Sequence, residues 1–188
     1  MDLPPAARLT AFAGRAAIAE LVEVYHRGNA TNLSLLTAIL LRHEGMAPGQ
    51  PLPPAPRGAM LPAPPPLPRL AALPEETRAQ ILGLTAAHGL SDAAVVPSLY
   101  LHLALWPAFL AQLPEVLAPL HADGGLKRAR AAAVAAARQA APGLIAALGP
   151  APASPPDLPA FLSRLRVFVQ EVIPGMVPVG VFLRRALA

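Results

Sequence analysis

Residues 95–120 read VVPSLYLHLALWPAFLAQLPEVLAPL, a stretch that contains no lysine or arginine and holds the single tryptophan of the chain. Its apolar positions recur at helical spacing, which with so few charges is typical of a helix buried on most of its surface. The residues that follow this spacing are Leu99, His102, Leu103, Trp106 and Leu110. Pro107 disfavours helix at Trp106, so we expect one helix to break there and a second to begin at Pro107. Pro114 and Pro119 are expected to cut the second helix short.

The composition is that of a globular protein. Hydrophobic residues make up 54% of the 188 residues and charged residues only 14%, which excludes a disordered chain. This length suits one domain with a sizeable core, and stability does not require an oligomer. Cysteine is absent, which excludes disulfides, thiolate metal sites, iron-sulfur clusters and thiol nucleophiles.

The apolar stretch raises the question of a membrane, because a spanning helix needs about 20 apolar residues. Residues 95–120 are long enough, but four prolines interrupt them and His102, Gln112 and Glu115 lie among them. The first residues, MDLPPAARL, lack the basic start and apolar run of a secretory signal. We therefore expect a cytoplasmic protein without integral membrane insertion, and peripheral membrane association is a weaker alternative.

The net charge of +4 is carried almost wholly by arginine, since Lys127 is the only lysine. The basic residues are dispersed except for small clusters at residues 127–130 and 184–185. Nucleic-acid binding usually requires a basic face joined to a recognisable module or to stacking aromatic residues. Neither is visible, so we expect no nucleic-acid partner.

The first part of the chain predicts a helix, a tight turn and another helix. Residues 8–42 contain no proline and have helical apolar spacing, but Gly28 is expected to stop the first helix. Residues 29–32, Asn-Ala-Thr-Asn, then supply capping side chains for the second. Ten of the 21 residues in 48–68 are proline, which predicts an extended linker rather than helix or strand.

The remaining segments also favour helices. Acidic residues open a helix near Glu75, and residues 126–141, almost all alanine and arginine, have high helix propensity. Apolar spacing returns from Leu158, and Pro174 with Gly175 is expected to break it before a last helix. The run VPVGVF is assigned to that helix because nothing obvious pairs with it as a strand. The prediction is a compact all-α bundle of about seven or eight helices.

A weak internal repeat is visible at a constant offset of 143. Residues 18–42 placed over residues 161–185 align Tyr25 with Phe168, Leu40 with Leu183 and Arg42 with Arg185. Such a match arises readily between amphipathic helices, but it suggests about one and a half copies of one unit. The single domain, residues 1–188, would then comprise a partial first repeat (1–45), a proline-rich linker (46–69) and a second repeat (70–188).

Four segments of the chain together resemble a known family. The run VPSLYLHLALWPAFLAQL, with its later alanine-rich helix and the sequence FVQEVIP, resembles the repeat unit of the group I 2-haloacid dehalogenases, the DehI family. The segment GNATNLSLLTAILL resembles the closing half of the first repeat of that family. The resemblance covers roughly residues 15–188. It implies an all-helical pseudo-dimer of two repeats with the active site between them.

The resemblance implies a hydrolase that needs no cofactor or metal. An aspartate would activate a water that attacks the halogen-bearing carbon directly, and the matching residue is Asp92, with Asn32 or Asn29 helping to hold the water. From their own chemistry, the candidate contacts for the substrate, a small carboxylic acid, are Tyr100, Trp106, Tyr25 and His102, although core packing or a solvated helix end explains these residues as well. A buried carboxylate of raised pKa can act as a general base. Equally, Asp92 and the two asparagines are ordinary capping and turn residues.

Two features depart from the family pattern. The chain lacks the opening half of the first repeat, and Leu101 stands where a basic residue is expected. A second reading is therefore a non-catalytic helical protein that keeps the fold to bind a small apolar acid or a partner helix. A homodimer is one way in which a shortened first repeat would close its site. His88 and His102 are 14 residues apart, which is not metal-ligand spacing.

Overall fold

The fold is given by a computed structural model that describes residues 13–53, 60–90, 95–149 and 157–188. These residues form an all-α structure, and no strand occurs in the described ranges. The helices are α1 (Arg15–His43), α2 (Glu75–Ala86), α3 (Ser98–Leu103), α4 (Pro107–Leu110), α5 (Leu113–His121), α6 (Gly125–Ala147), α7 (Leu158–Val167) and α8 (Ile173–Leu187). Short 3₁₀ turns lie at Leu70–Ala72 and Ala122–Gly124, and a π-helical turn, Phe168–Val172, joins α7 to α8. The predicted all-helical class is thereby confirmed.

Helix α1 is continuous over 29 residues, so the predicted turn after Gly28 is wrong. A glycine in a helix interior costs about 1 kcal/mol relative to alanine. Residues on both sides of it are buried, including Val22 and Leu33, because α1 packs along α6 and α8. This packing stabilises the helix by more than the glycine destabilises it.

The break expected at Pro174 and Gly175 is replaced by the π-helical turn. Proline has no amide hydrogen, and its ring would meet the carbonyl four residues earlier, that of Gln170. In the widened turn the Ile173 amide bonds to the Phe168 carbonyl, five residues back. The chain therefore passes from α7 to α8 without leaving helical geometry.

The helix break at Pro107 is confirmed, since α3 ends at Leu103 and α4 begins at Pro107. The helix that begins at Pro107 is short, as predicted, since α4 ends at Leu110, but the prediction that Pro119 ends a helix is wrong. Pro114 lies in the first turn of α5, where a missing amide hydrogen has no cost, and Pro119 lies inside α5. The buried face of α5 holds the helix together around Pro119 and consists of Leu113, Val116, Leu117 and Leu120.

The stretch from residue 95 to residue 120 contributes to the largest hydrophobic cluster, which joins α1 to α5 and α8. Tyr100, Phe109 and Phe182 are its largest fully buried side chains. A second cluster includes Leu33 of α1 and Leu165 of α7. A third joins α1 to α6 through residues that include Ala38, Leu41, Ala141 and Ile145. Helix α1 thus enters all three clusters.

Residues 46–53 and 60–69 of the proline-rich segment form neither helix nor strand. This segment is attached to the helices at two places. The Gly49 amide bonds to the Pro142 carbonyl of α6 at 2.9 Å, and Leu52 packs so closely on Gly143 that a Cβ atom there would lie 2.7 Å from Leu52 Cγ. The Pro65 carbonyl accepts a hydrogen bond from His102 of α3 at 2.7 Å.

Among the described residues, one helical stretch, Leu158–Leu187, is long and apolar enough to cross a membrane by length and composition alone. Within its most apolar window, 61% of the residues are buried inside the structure. The core helix of a globular protein has the same character, so this finding is weak evidence for a membrane span.

Candidate functional site

A cavity of about 330 Å³ lies between α1, the chain leading into α3, the π-helical turn and the start of α8. We call it the α1 cavity. Its lining consists of Tyr25, Asn29, Asn32, Leu36, Val95, Val96, Pro97, Ser98, Leu99, Phe168, Val172, Ile173 and Met176. Three separate parts of the sequence, residues 25–36, 95–99 and 168–176, therefore converge on it.

The α1 side of the cavity is a single stripe of one helix. Tyr25, Asn29, Asn32 and Leu36 follow the i, i+4, i+7 and i+11 spacing, which places them on one face. The two asparagines reach the cavity because α1 continues through Gly28. In a turn they would have pointed in unrelated directions.

The walls of the α1 cavity are mainly apolar and include four polar side chains. Its polar side chains are Tyr25, Asn29, Asn32 and Ser98, and none of the described lining residues is charged. Apolar pockets with a few convergent polar groups are typical of small-molecule sites. Phe168, which is 44% exposed, also lines the cavity.

A chain of hydrogen bonds leads from the α1 cavity to the proline-rich segment. Tyr25 Oη lies 2.5 Å from His102 Nδ1, and His102 Nε2 lies 2.7 Å from the Pro65 carbonyl oxygen. A carbonyl only accepts, so Nε2 carries the proton, and in a neutral imidazole Nδ1 must then accept from the tyrosine hydroxyl. The backbone of the proline-rich segment thus fixes the direction of the bond at Tyr25.

Burial raises the pKa of Tyr25 to about 12, and the hydrogen bond with Ser98 lowers it by a smaller amount. The phenol is therefore protonated throughout the neutral range and acts as a donor to His102. Tyr25 cannot serve as a base in this state. It orients its neighbours instead.

A second tyrosine–histidine pair lies in the core, outside the lining of the α1 cavity. His88 Nε2 lies 2.5 Å from Tyr100 Oη, and Tyr100 is fully buried. Burial lowers the pKa of His88 to about 4, and the nearby positive charges of His121 and Arg130 act in the same direction. An Arg130 amino group also donates to the His88 carbonyl. We therefore interpret the bond between His88 and Tyr100 as a contact that stabilises the core.

The sequence-predicted site residues are only partly brought together. Tyr25, Asn29 and Asn32 share the α1 cavity, and His102 lies directly behind Tyr25. Tyr100 lies in the core, and the Trp106 indole lies against Gly14 at the start of α1, where an added Cβ would be 2.6 Å from Trp106 Nε1.

Asp92, the predicted base, lies outside the described residues. Val95, three residues later, lines the α1 cavity. The assignment of Asp92 therefore stays a prediction.

Sequence reasoning missed Ser98 and the π-helical residues Phe168 and Val172 as candidate site residues. The proline–glycine pair at 174–175 was the available signal for the π-helical turn, because π-turns often arise where a helix must absorb an irregularity and occur frequently at functional sites. Nothing in the sequence singled out Ser98.

A larger groove of about 600 Å³ lies between α2 and α5. Its lining is Gln80, Gly83, Leu84, Ala87, Pro114, Leu117, Ala118 and His121. Only Gln80 and His121 supply side-chain polar groups there, and none of the sequence-predicted site residues is included. The α1 cavity is therefore the stronger candidate.

No group of three or more histidine or acidic side chains that would hold a metal ion occurs among the described residues. Comparisons with protein-family models, with curated proteins and with solved structures found no significant match to this chain.

Proposed function

We propose that this chain is a DehI-type helical protein and that the α1 cavity is its functional site, which binds a small carboxylic acid with a short apolar chain. The single observation that carries this proposal is that Asn29 and Asn32 share one cavity with residues 95–99. The sequence resemblance relates the same two segments. They are more than 60 residues apart in the chain, so their convergence is not a consequence of local structure.

The character of the cavity walls supports a ligand of this kind. Val95, Val172 and Met176 offer an apolar surface of the size of a few carbon atoms, and the amides of Asn29 and Asn32 offer hydrogen-bond donors for carboxylate oxygens. No cofactor is needed for the reaction of the DehI family.

The repeat proposal gains support from the same cavity. At the offset of 143, Tyr25 corresponds to Phe168 and Asn29 to Val172, and all four residues line the α1 cavity. Two related units that meet across a shared site would give this arrangement. We propose on this basis that α1 and the α7–α8 segment are equivalent parts of one and a half repeats, in a bundle of about seven or eight helices.

Hydrolytic dehalogenation is the reaction that we propose for this site. The Asp92 carboxylate would take a proton from water, the water oxygen would form a bond to C2 of the acid, and the halide would leave with the electron pair of the carbon–halogen bond. Asn29 or Asn32 would hold the water by its amide. The product is a 2-hydroxy acid. The reaction needs no cofactor.

A non-catalytic binding protein is the second candidate. The described lining of the α1 cavity has no charged side chain, and Leu101 replaces the basic residue expected of active relatives. Such a protein would bind the acid without turnover. Measurement of halide release therefore distinguishes the enzyme from the binding protein.

Halide release from 2-chloropropionate by the purified protein tests the enzymatic proposal. We expect release by the wild type and a loss of ~100-fold or more in Asp92→Asn, because a general base contributes at least this much. The matched control is Asp157→Asn, a change of the same kind at an exposed residue whose side chain makes no capping hydrogen bond.

Three results are informative. No release by the wild type, together with a rise in melting temperature on addition of 2-chloropropionate, would favour the binding protein. Release that is equal in Asp92→Asn and the wild type would reject Asp92 as the base. Neither release nor a thermal shift would reject the proposed function as a whole.

A further inference from the structure

We propose that the α1 cavity selects acids whose C2 substituent donates a hydrogen bond, so that it holds a 2-hydroxy acid more tightly than an acid with an apolar substituent of the same size. This inference rests on the proposed function, since it concerns the same cavity. It adds the class of ligand that the cavity prefers. The argument depends on the direction of the hydrogen bonds behind Tyr25.

The first step is to establish which nitrogen of the neutral His102 ring carries the proton. This imidazole is only 4% exposed and has Tyr25 Oη at 2.5 Å from one nitrogen and the Pro65 carbonyl at 2.7 Å from the other. The carbonyl cannot donate, so Nε2 must, and Nδ1 of the neutral ring has only a lone pair to offer. The Tyr25 hydroxyl therefore donates its single proton to His102 Nδ1.

The second step concerns Ser98, whose side chain is hydrogen-bonded to Tyr25. Because the tyrosine proton already points to His102, the serine hydroxyl must be the donor in this bond. The protons of both hydroxyls are then committed. The hydrogen-bonding capacity that Tyr25 and Ser98 retain toward the α1 cavity consists of lone pairs.

The third step concerns the kind of ligand group that these lone pairs bind best. An acceptor without a donor loses a hydrogen bond that it makes with water, so a ligand group that donates is favoured there over a methyl group or a halogen. A hydroxyl on C2 supplies that donor. The carboxylate of the same ligand, which only accepts, is complementary to the amide NH₂ groups of Asn29 and Asn32.

The cavity therefore distinguishes two ends of a ligand. The asparagine amides take the carboxylate, and the Tyr25–Ser98 side takes a hydroxyl. The product of hydrolytic dehalogenation, a 2-hydroxy acid, matches both ends. The consequence is a site that retains its product, so that 2-hydroxy acids are expected to be inhibitors as well as ligands.

Nitrogen-15 NMR of the histidine rings tests the first step directly. We expect His102 at neutral pH to be the tautomer protonated on Nε2. The opposite tautomer, protonated on Nδ1, would make Tyr25 an acceptor of the His102 bond and would overturn the inference.

Affinity measurements with size-matched ligands test the selection itself, and none of these ligands carries a halogen that the protein could remove. We expect 2-hydroxypropionate to bind at least threefold more tightly than 2-methylpropionate. Tyr25→Phe should abolish this preference while both acids still bind. Ser34→Ala, which removes a hydroxyl from the same helix outside the cavity lining, should leave the preference intact.

A second pair of ligands, propan-2-ol and acetone, separates this inference from the proposed function, because neither has a carboxylate. Equal binding of the two acids would overturn the selection and leave the proposed acid site standing. Failure of both acids, with propan-2-ol preferred to acetone in a Tyr25-dependent way, would reject the acid site and support the donor selection. Binding of none of the four would reject both.

Discussion

At the scale of single residues, the protein uses the tyrosine–histidine hydrogen bond twice and in two different surroundings. Tyr25 and His102 stand between the α1 cavity and the proline-rich segment, whereas Tyr100 and His88 lie in the core. The bond between Tyr100 and His88 satisfies two buried polar groups that would otherwise lack partners, which would cost about 1–3 kcal/mol apiece. The first pair borders the α1 cavity, and the second pair contributes to the stability of the core.

The core pair makes stability depend on pH. His88 has a pKa of about 4 in the folded protein against an ordinary value of 6.5, so between these values the unfolded chain binds a proton that the folded chain does not. Stability from this residue is complete above about pH 6.5 and falls as the pH is lowered toward 4. We expect a loss of ~3 kcal/mol across this range, measured by urea unfolding at several pH values.

The matched variant for this measurement is His88→Gln, whose amide can still bond to Tyr100 but does not titrate. Its stability should change less between pH 6.5 and pH 4.5 than that of the wild type. Burial also lowers the pKa values of His26 and His121, but both residues are present in both proteins, so the difference reports on His88. Parallel curves for the two proteins would show that His88 is not responsible.

At the scale of elements, the continuous helix α1 makes Gly28 a site for stabilisation. An added Cβ at Gly28 would meet no atom within 4 Å, and the residue lies in a helix interior. Gly28→Ala should therefore raise the free energy of unfolding by about 0.5–1 kcal/mol. Chemical denaturation measures this change.

Gly14→Ala is the matched control, because it makes the same substitution at the start of the same helix. Gly14 has a φ of 85°, which an alanine adopts with strain, and its Cβ would lie 2.6 Å from the Trp106 indole nitrogen. This variant should be less stable than the wild type. A destabilising effect of Gly28→Ala would instead indicate that α1 is interrupted there in solution.

The helices also explain which residues of the candidate site could be predicted from the sequence. Asn29 and Asn32 were predicted as site residues from the resemblance to the DehI family, although the local geometry assigned to them, a turn after Gly28, was wrong. Helix propensity at Gly28 is a local quantity, and it was overridden by contacts with α6 and α8, which are distant in sequence. Ser98 could not be found, because its importance comes from Tyr25, 73 residues earlier.

At the scale of the whole molecule, α1 connects the hydrophobic clusters into one structure. Ile18 and Leu21 belong to the first cluster, Leu33 and Leu40 to the second, and Leu41 to the third. Since one helix passes through all of them, loss of one cluster should weaken the others. We therefore expect the protein to unfold in a single cooperative transition.

Leu33→Ala tests this coupling, because Leu33 lies in the second cluster and Trp106 packs against the first. Truncation of a buried leucine costs about 2–5 kcal/mol. Trp106 fluorescence and far-ultraviolet circular dichroism should both report the lower midpoint, and the two curves should coincide. Leu35→Ala, at an exposed position of the same helix, should change the midpoint little. Separate midpoints for the two probes would contradict a single transition.

The packing of α1 against α8 has a consequence for folding during translation. The guanidinium of Arg15 donates to the Leu187 carbonyl at 2.9 Å, and the two helices share much of the main cluster. Helix α1 is synthesised first and α8 last among the described helices, so the part of the α1 apolar face that packs on α8 lacks this partner until the other described helices have been made. Nascent chains with such exposed faces are prone to aggregate. Production of this protein is therefore expected to benefit from slow expression or from added chaperones.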